Sequence, residues 1–99
     1  MRKLSVVFAA CIVVLVSFAG SDRAWAYKGE VLAKQAKISL QQARELALKA
    51  FPGKIIDEEL EKEAGGSGLR YSFDIRRGKL VHEVGIDAAD GKVLENSDD

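Results

Sequence analysis

The sequence predicts an α+β domain: one helix packed on an antiparallel meander of three to four strands, preceded by a signal peptide. Three observations carry this. Apolar residues recur at three- and four-residue spacing from Leu40 to Phe51. Apolar and polar residues then alternate almost strictly from Leu69 to Asp87. Turn-forming residues interrupt the alternation at Arg77-Gly78 and again within Ala88–Gly91. The first pattern has the period of a helix and the second that of a half-buried strand. A chain of 99 residues leaves room for a single domain.

At the N-terminus Arg2 and Lys3 precede the apolar run Leu4–Phe18, and Ala24-Trp25-Ala26 gives a small-x-small end. That is the layout of a secretory signal peptide cut between Ala26 and Tyr27. The rivals are an uncleaved anchor, for which the run is short, and a lipoprotein modified at Cys11, which sits in the middle of that run. Cleavage removes Cys11, the sole cysteine, so no disulfide framework remains and a hydrophobic core must hold the domain. It also leaves 12 basic and 14 acidic side chains, a net charge of about −2. This balance argues against a nucleic acid or an anionic membrane as partner. Membrane contact is expected only through the signal peptide if it stays uncleaved.

The expected layout is signal peptide 1–26, lead-in 27–37, domain 38–95 and a frayed tail 96–99. The lead-in reads as flexible, with a short helix at Glu30–Gln35. Ser39 and Gln42 form a capping-box pattern at the start of the main helix. Pro52-Gly53 ends it, because a proline disfavours helical backbone in the residue before it. Lys54–Glu63 reads as an acidic strand with Ile56 and Leu60 on one face, with a helix over Asp57–Lys62 as the competitor. Ala64–Gly68 is a loop. A two-residue Arg77-Gly78 loop pairs Ile75 with Leu80, Phe73 with His82, Tyr71 with Val84 and Leu69 with Ile86. A four-residue loop, Ala88–Gly91, pairs Ile86 with Val93 and Asp87 with Lys92. In this reading Val93 joins the core face, Asp87 and Lys92 form an exposed charge pair, and Gly91 takes a left-handed conformation.

Catalytic and metal patterns fail one by one. Aligned on Asp87, an EF-hand would need acids or amides where Ala89 and Gly91 stand. Zinc fares no better, since the mature chain holds one histidine and no thiol. Ser72, Asp74 and His82 are the ingredients of a triad, but alternation places the first two on the face opposite His82. Gly65-Gly66-Ser67-Gly68 lacks the lysine of a phosphate loop. No catalytic residue, cofactor or metal ligand is expected. Two features suit a protein partner instead. One is the acidic run Asp57, Glu58, Glu59, Glu61 and Glu63, which also serves as the charge that keeps an edge strand soluble. The other is the polar sheet face, including Arg70, Ser72, Asp74, Arg76 and Glu83.

The ordered motifs resemble the PepSY domain family. Ile38, Ser39, Ala43, Pro52 and Gly53 fit its helix signature, and Ile86, Asp87, Ala88, Gly91 and Val93 fit its closing strand pattern. Asp90 stands where Thr or Asn is usual. The resemblance covers about Ile38 to Glu95 and implies a bacterial exported protein, periplasmic or secreted. Family members occur in propeptides of thermolysin-like metallopeptidases, where the domain is thought to inhibit or chaperone the enzyme. Others are small stand-alone secreted proteins or parts of membrane proteins. The resemblance therefore implies a non-catalytic module that binds a protein, with a peptidase as the partner class. The contact is expected at Asp57, Glu58, Glu59, Glu61, Glu63, Arg70 and Arg76. A ligand- or ion-sensing module is the alternative. N-terminal sequencing of the exported protein checks the processing site: the sequence should begin Tyr-Lys-Gly, and an intact Met1 would overturn it.

Overall fold

The computed structural model describes residues 26–99. Apart from Ala26, the expected signal peptide lies outside the described residues. A 3-10 helix, Glu30–Gln35, precedes helix α1, Leu40–Ala50. Strands β1 (Lys54–Lys62), β2 (Leu69–Arg77), β3 (Leu80–Asp87) and β4 (Val93–Asp98) follow. They form one antiparallel sheet in the order β1-β2-β3-β4, with α1 laid across one face. This is the expected helix-plus-meander architecture, with four strands. Among the described residues no helix is long and apolar enough to cross a membrane.

The start of α1 is as its sequence dictates. The Gln42 N–H donates to Ser39 Oγ at 3.0 Å, and the Ser39 N–H donates to Gln42 Oε1 at 2.8 Å. This reciprocal pair satisfies two donors that a helix start otherwise leaves open. Ala43 and Ala47 are fully buried on the inner stripe, with Phe51 just past the helix end. Beneath them lie Leu60, Tyr71, Phe73, Ile75, Val84 and Ile86 from three strands, all buried. Each large apolar side chain enclosed this way contributes about 1.5–3 kcal/mol. The Tyr71 hydroxyl reaches out of this layer and donates to the Ile38 carbonyl at 2.9 Å.

Several local expectations are corrected. The β2–β3 turn is Gly78-Lys79, and Arg77 pairs with Leu80. Ile75 therefore faces His82, Phe73 faces Val84 and Tyr71 faces Ile86. The register moves by two residues, which conserves every side chain's face. Gly78, at φ 64°, supplies the left-handed residue that Arg77 would adopt only under strain. The acidic segment forms the expected strand rather than the competing helix, and Asp57–Lys62 pairs continuously with β2. A bulge falls between Ile55 and Asp57, so Ile55 faces Ile75 while Ile56 turns outward, 45% exposed, and Leu60 turns in. Val93 pairs with Ile86 as expected but is 49% exposed, having a strand on one side only.

Both ends of the domain are tied down. The Leu60 N–H donates to the Lys28 carbonyl at 2.8 Å, and Lys28 bridges to Glu59 in parallel sense. The lead-in thus lies along the edge of β1, with its 3-10 helix where the sequence places one. Gly29 makes this approach possible: a Cβ on it would stand 1.7 Å from the Leu60 carbonyl oxygen. The expected frayed tail is ordered. Asn96 and Asp98 lie in β4, the Asp99 N–H donates to the Val81 carbonyl, and His82 meets Asn96 Oδ1 (2.8 Å) and Asp98 Oδ1 (2.7 Å) through its two nitrogens. The other side of the His82 ring stacks on Phe51 at 3.9 Å, rather than on Phe73.

Asp87 departs most from expectation. It is 2% exposed and forms no ion pair with Lys92, although its backbone N–H bonds the Lys92 carbonyl and Gly91 takes a φ of 79°. Its carboxylate accepts from the Ser67 N–H, the Ser67 hydroxyl and the Ala89 N–H, each at 2.7 Å. The adjacent Ala88 donates to the Leu69 carbonyl and accepts from the N–H groups of Lys37 and Ile38. Three chain segments therefore meet here: the 64–68 loop, the β3–β4 turn and the entry to α1. Gly66 packs against the carboxylate so closely that a Cβ on it would come 2.1 Å from Asp87 Oδ2.

Burial by itself would raise the Asp87 carboxyl, but the donors from Ala89, Ser67 and Asp90 outweigh it and hold it below its ordinary value of 3.8. A depressed folded value means the stabilisation is present above about 3.8 and is lost as pH falls through the folded value. Asp87→Ala should cost roughly 3 kcal/mol, because it orphans buried donors. Urea unfolding at pH 7 measures the loss. The gap from the parent should narrow as pH falls into the acid range, and a variant as stable as the parent at pH 7 would overturn this role.

Candidate interaction surface

The face of the sheet away from α1 is built from the alternate residues of each strand. Register arranges them in rows across the strands. One row runs Asp57, Asp74, Glu83 and Ser97. The next runs Glu59, Ser72, Gly85 and Glu95, and a third runs Glu61, Arg70 and Asp87. Asp57 is thus directly opposite Asp74, and Asp74 directly opposite Glu83. Like charges so placed are unfavourable. Asp99 adds to the group: one carboxylate oxygen from each of Asp74, Glu83 and Asp99 lies within 4.8 Å of the others. Burial and then the neighbouring Asp99 and Asp57 raise the Asp74 carboxyl. Burial and then Glu95, Asp74, Asp99 and Glu61 raise that of Glu83.

In the second row Glu59 lies beside Glu61. A hydrogen bond from Glu59 to Glu61, then burial, then the Glu61 charge push Glu59 up to about 7, against the opposing pull of Lys28 at 3.8 Å. Glu61 is held low despite its own burial, by bonds from Glu59, Ser72 and Glu63 and by the Arg70 charge. The Ser72 hydroxyl donates to Glu61 at 2.7 Å.

The residues expected to meet a partner divide into three groups. Asp57, Glu59 and Glu61 lie on this open face. Glu63 stands just past the end of β1, 3.7 Å from Arg70, and Arg76 is exposed at the opposite end, between Lys54 and Val81. Glu58 instead points to the helix side, where Arg44 grips both carboxylate oxygens at 2.9 and 2.7 Å. Arg70 is not a solvated contact: it is 7% exposed. Its stem lies over Gly85, while its guanidinium donates to the Ala64 carbonyl (3.1 Å) and meets Glu95 (3.4 Å). Arg70 is thus already balanced by Glu63 and Glu95 and is not presented to solvent. Asp74 opposite Glu83 is the element that sequence reasoning missed, because the Arg77-Gly78 turn would have set Asp74 opposite Val81. Ser72 and Asp74 lie on this face and His82 on the other, as alternation requires.

Between the lead-in, the first turns of α1 and β1 runs an open groove of about 1270 Å³. It is lined by Tyr27, Leu40, Arg44, Ile55, Ile56 and the acids Glu30, Asp57, Glu58 and Glu59.

The raised Asp74 carboxyl gives a test of the like-charge row. A raised folded value means the penalty is fully present above that value and is relieved as pH falls toward 3.8. Asp74→Asn should therefore stabilise the protein at pH 8, by about 0.5 kcal/mol from the cross-strand repulsion alone. The gain should fade by about pH 4, and thermal melts across that range read it. An Asn variant less stable than the parent at pH 8 would refute the repulsive row.

The family model described as peptidase propeptide and YPEB domain, PepSY, matches residues 37–96. A search of curated proteins and one of solved structures each return no match. The matched span begins just before the Ser39 cap and takes in α1, β1 to β3, the start of β4 and the Asp87 junction. With well over half its length in the match, the chain belongs to the PepSY family.

Proposed function

We propose that this chain is a non-catalytic module, exported to the periplasm or secreted, that binds a protein and restrains an extracytoplasmic peptidase. Membership of the peptidase-propeptide family carries this reading. The acid gathered on the open sheet face supports the location of the contact: Asp57, Glu59 and Glu61, flanked by Glu63 and Arg76, with Asp74 and Glu83 completing the row. Arg70, within the third row, and Glu58, on the helix side, are each held by partners of their own. A predominantly acidic face favours a basic partner surface and speeds its approach at low salt. The second reading is an ion-sensing module at Asp74, Glu83 and Asp99, suggested by their proximity.

The host's extracytoplasmic peptidases supply the test, by capture on the immobilised protein and by cleavage rates in its presence. At least one peptidase should be retained and slowed, and Glu83→Lys should weaken the inhibition at least about tenfold. No capture together with unchanged cleavage rates would overturn the reading. Thermal melts with calcium and manganese address the second: saturable stabilisation would support it, and unchanged melting would exclude it.

A further inference from the structure

We propose that the open stretch of the β1 edge, Lys54–Asp57, with the groove beside it, receives an extended basic segment of the partner as an added strand. This rests on the protein-binding reading above and assigns it a second, separate contact. β1 is an edge strand, and among the described residues only the lead-in lies alongside it, at Glu59 and Leu60. That short parallel contact shows that the outer edge of β1 can take a neighbouring chain by backbone bonding. Among the described residues no strand covers it from Lys54 to Asp57. Added strands draw affinity from main-chain bonds and specificity from side chains that drop into flanking pockets.

The groove supplies those pockets. Tyr27, Leu40, Ile55 and the outward-turned Ile56 offer apolar surface. Acids Glu30, Asp57, Glu58 and Glu59, set against Lys28 and Arg44, leave the lining at a net −2. The matching segment alternates Lys or Arg with small or medium apolar residues. A second copy of this chain is a poor occupant, since pairing β1 with β1 would bring two acidic strands together. Edge strands generally carry charge or bulges that discourage indiscriminate pairing. Here the Ile56 bulge and the acids act as a filter that still admits a basic strand.

A fluorescein-labelled octapeptide, Lys-Val-Lys-Ala-Lys-Val-Lys-Ala, and its Glu-for-Lys counterpart probe the site by anisotropy on the protein recovered from an exporting host. The lysine peptide should bind saturably and weaken with salt, and the glutamate peptide should not bind. Ile56→Lys, at an exposed bulge, should weaken binding at least about tenfold, while Glu83→Lys on the open face should leave it within about twofold. In the parent protein the peptide should slow amide hydrogen exchange across Lys54–Asp57, which reads the site without any variant. Absence of binding, or binding indifferent to Ile56→Lys with no protection of that stretch, would overturn the groove. Loss of peptide binding in Glu83→Lys but not in Ile56→Lys would also overturn it and leave the open-face contact standing. Peptidase capture in either case keeps the broader reading intact.

Discussion

The buried carboxylate of Asp87 is the constraint around which this domain closes. A helix and a meander can bury their apolar faces against each other in several ways. What fixes one arrangement is a set of polar groups that must be satisfied together. Asp87 takes three donors at 2.7 Å from two loops that are twenty residues apart in sequence. Its neighbour Ala88 links the helix entry to the same point through Lys37 and Ile38. The stripe of α1 then lands on Tyr71, Phe73 and Val84 because its start is anchored beside the end of β3. Packing provides most of the stabilisation, and the Asp87 junction decides which packing is realised.

Much of this was legible in the residues. The capping box, the alanine-lined stripe and the strict alternation of β2 and β3 each follow from short-range rules, and all proved correct. The errors have a common origin: they turn on information that periodicity does not hold. Register within a hairpin depends on which residue takes a positive φ, and Gly78 rather than Arg77-Gly78 as a unit made that choice. The bulge at Ile56 is invisible to a strict two-residue count. Asp87 looks like any turn aspartate, because two of its three donors come from Ser67, far away in sequence. The acidic row is likewise a product of register, since Asp74 and Glu83 become opposite only once the turn is placed correctly.

The two sides of the sheet carry different burdens. The inner side is committed to the core, and even its polar members, Glu58 and His82, are bound to Arg44, Phe51 and the last strand. The outer side retains an arrangement with unfavourable internal electrostatics. A row of like charges across three strands has no benefit for folding. Surfaces that keep such features against the interest of stability are commonly ones that meet something else. The open face and the groove at the β1 edge share Asp57 and Glu59 as a common border, so a partner that covers one can reach the other.

Arg70 and Gly85 form a lock between neighbouring strands. The arginine stem lies tightly against Gly85, its Cδ 3.2 Å from where a Cβ would stand. Its buried head fastens the Ala64 carbonyl to Glu95 on the far edge strand. The two positions are therefore coupled. A residue larger than glycine at 85 presses on that stem, and a lineage that shortens Arg70 to make room would give up the cross-sheet tie and leave an open face of more negative charge.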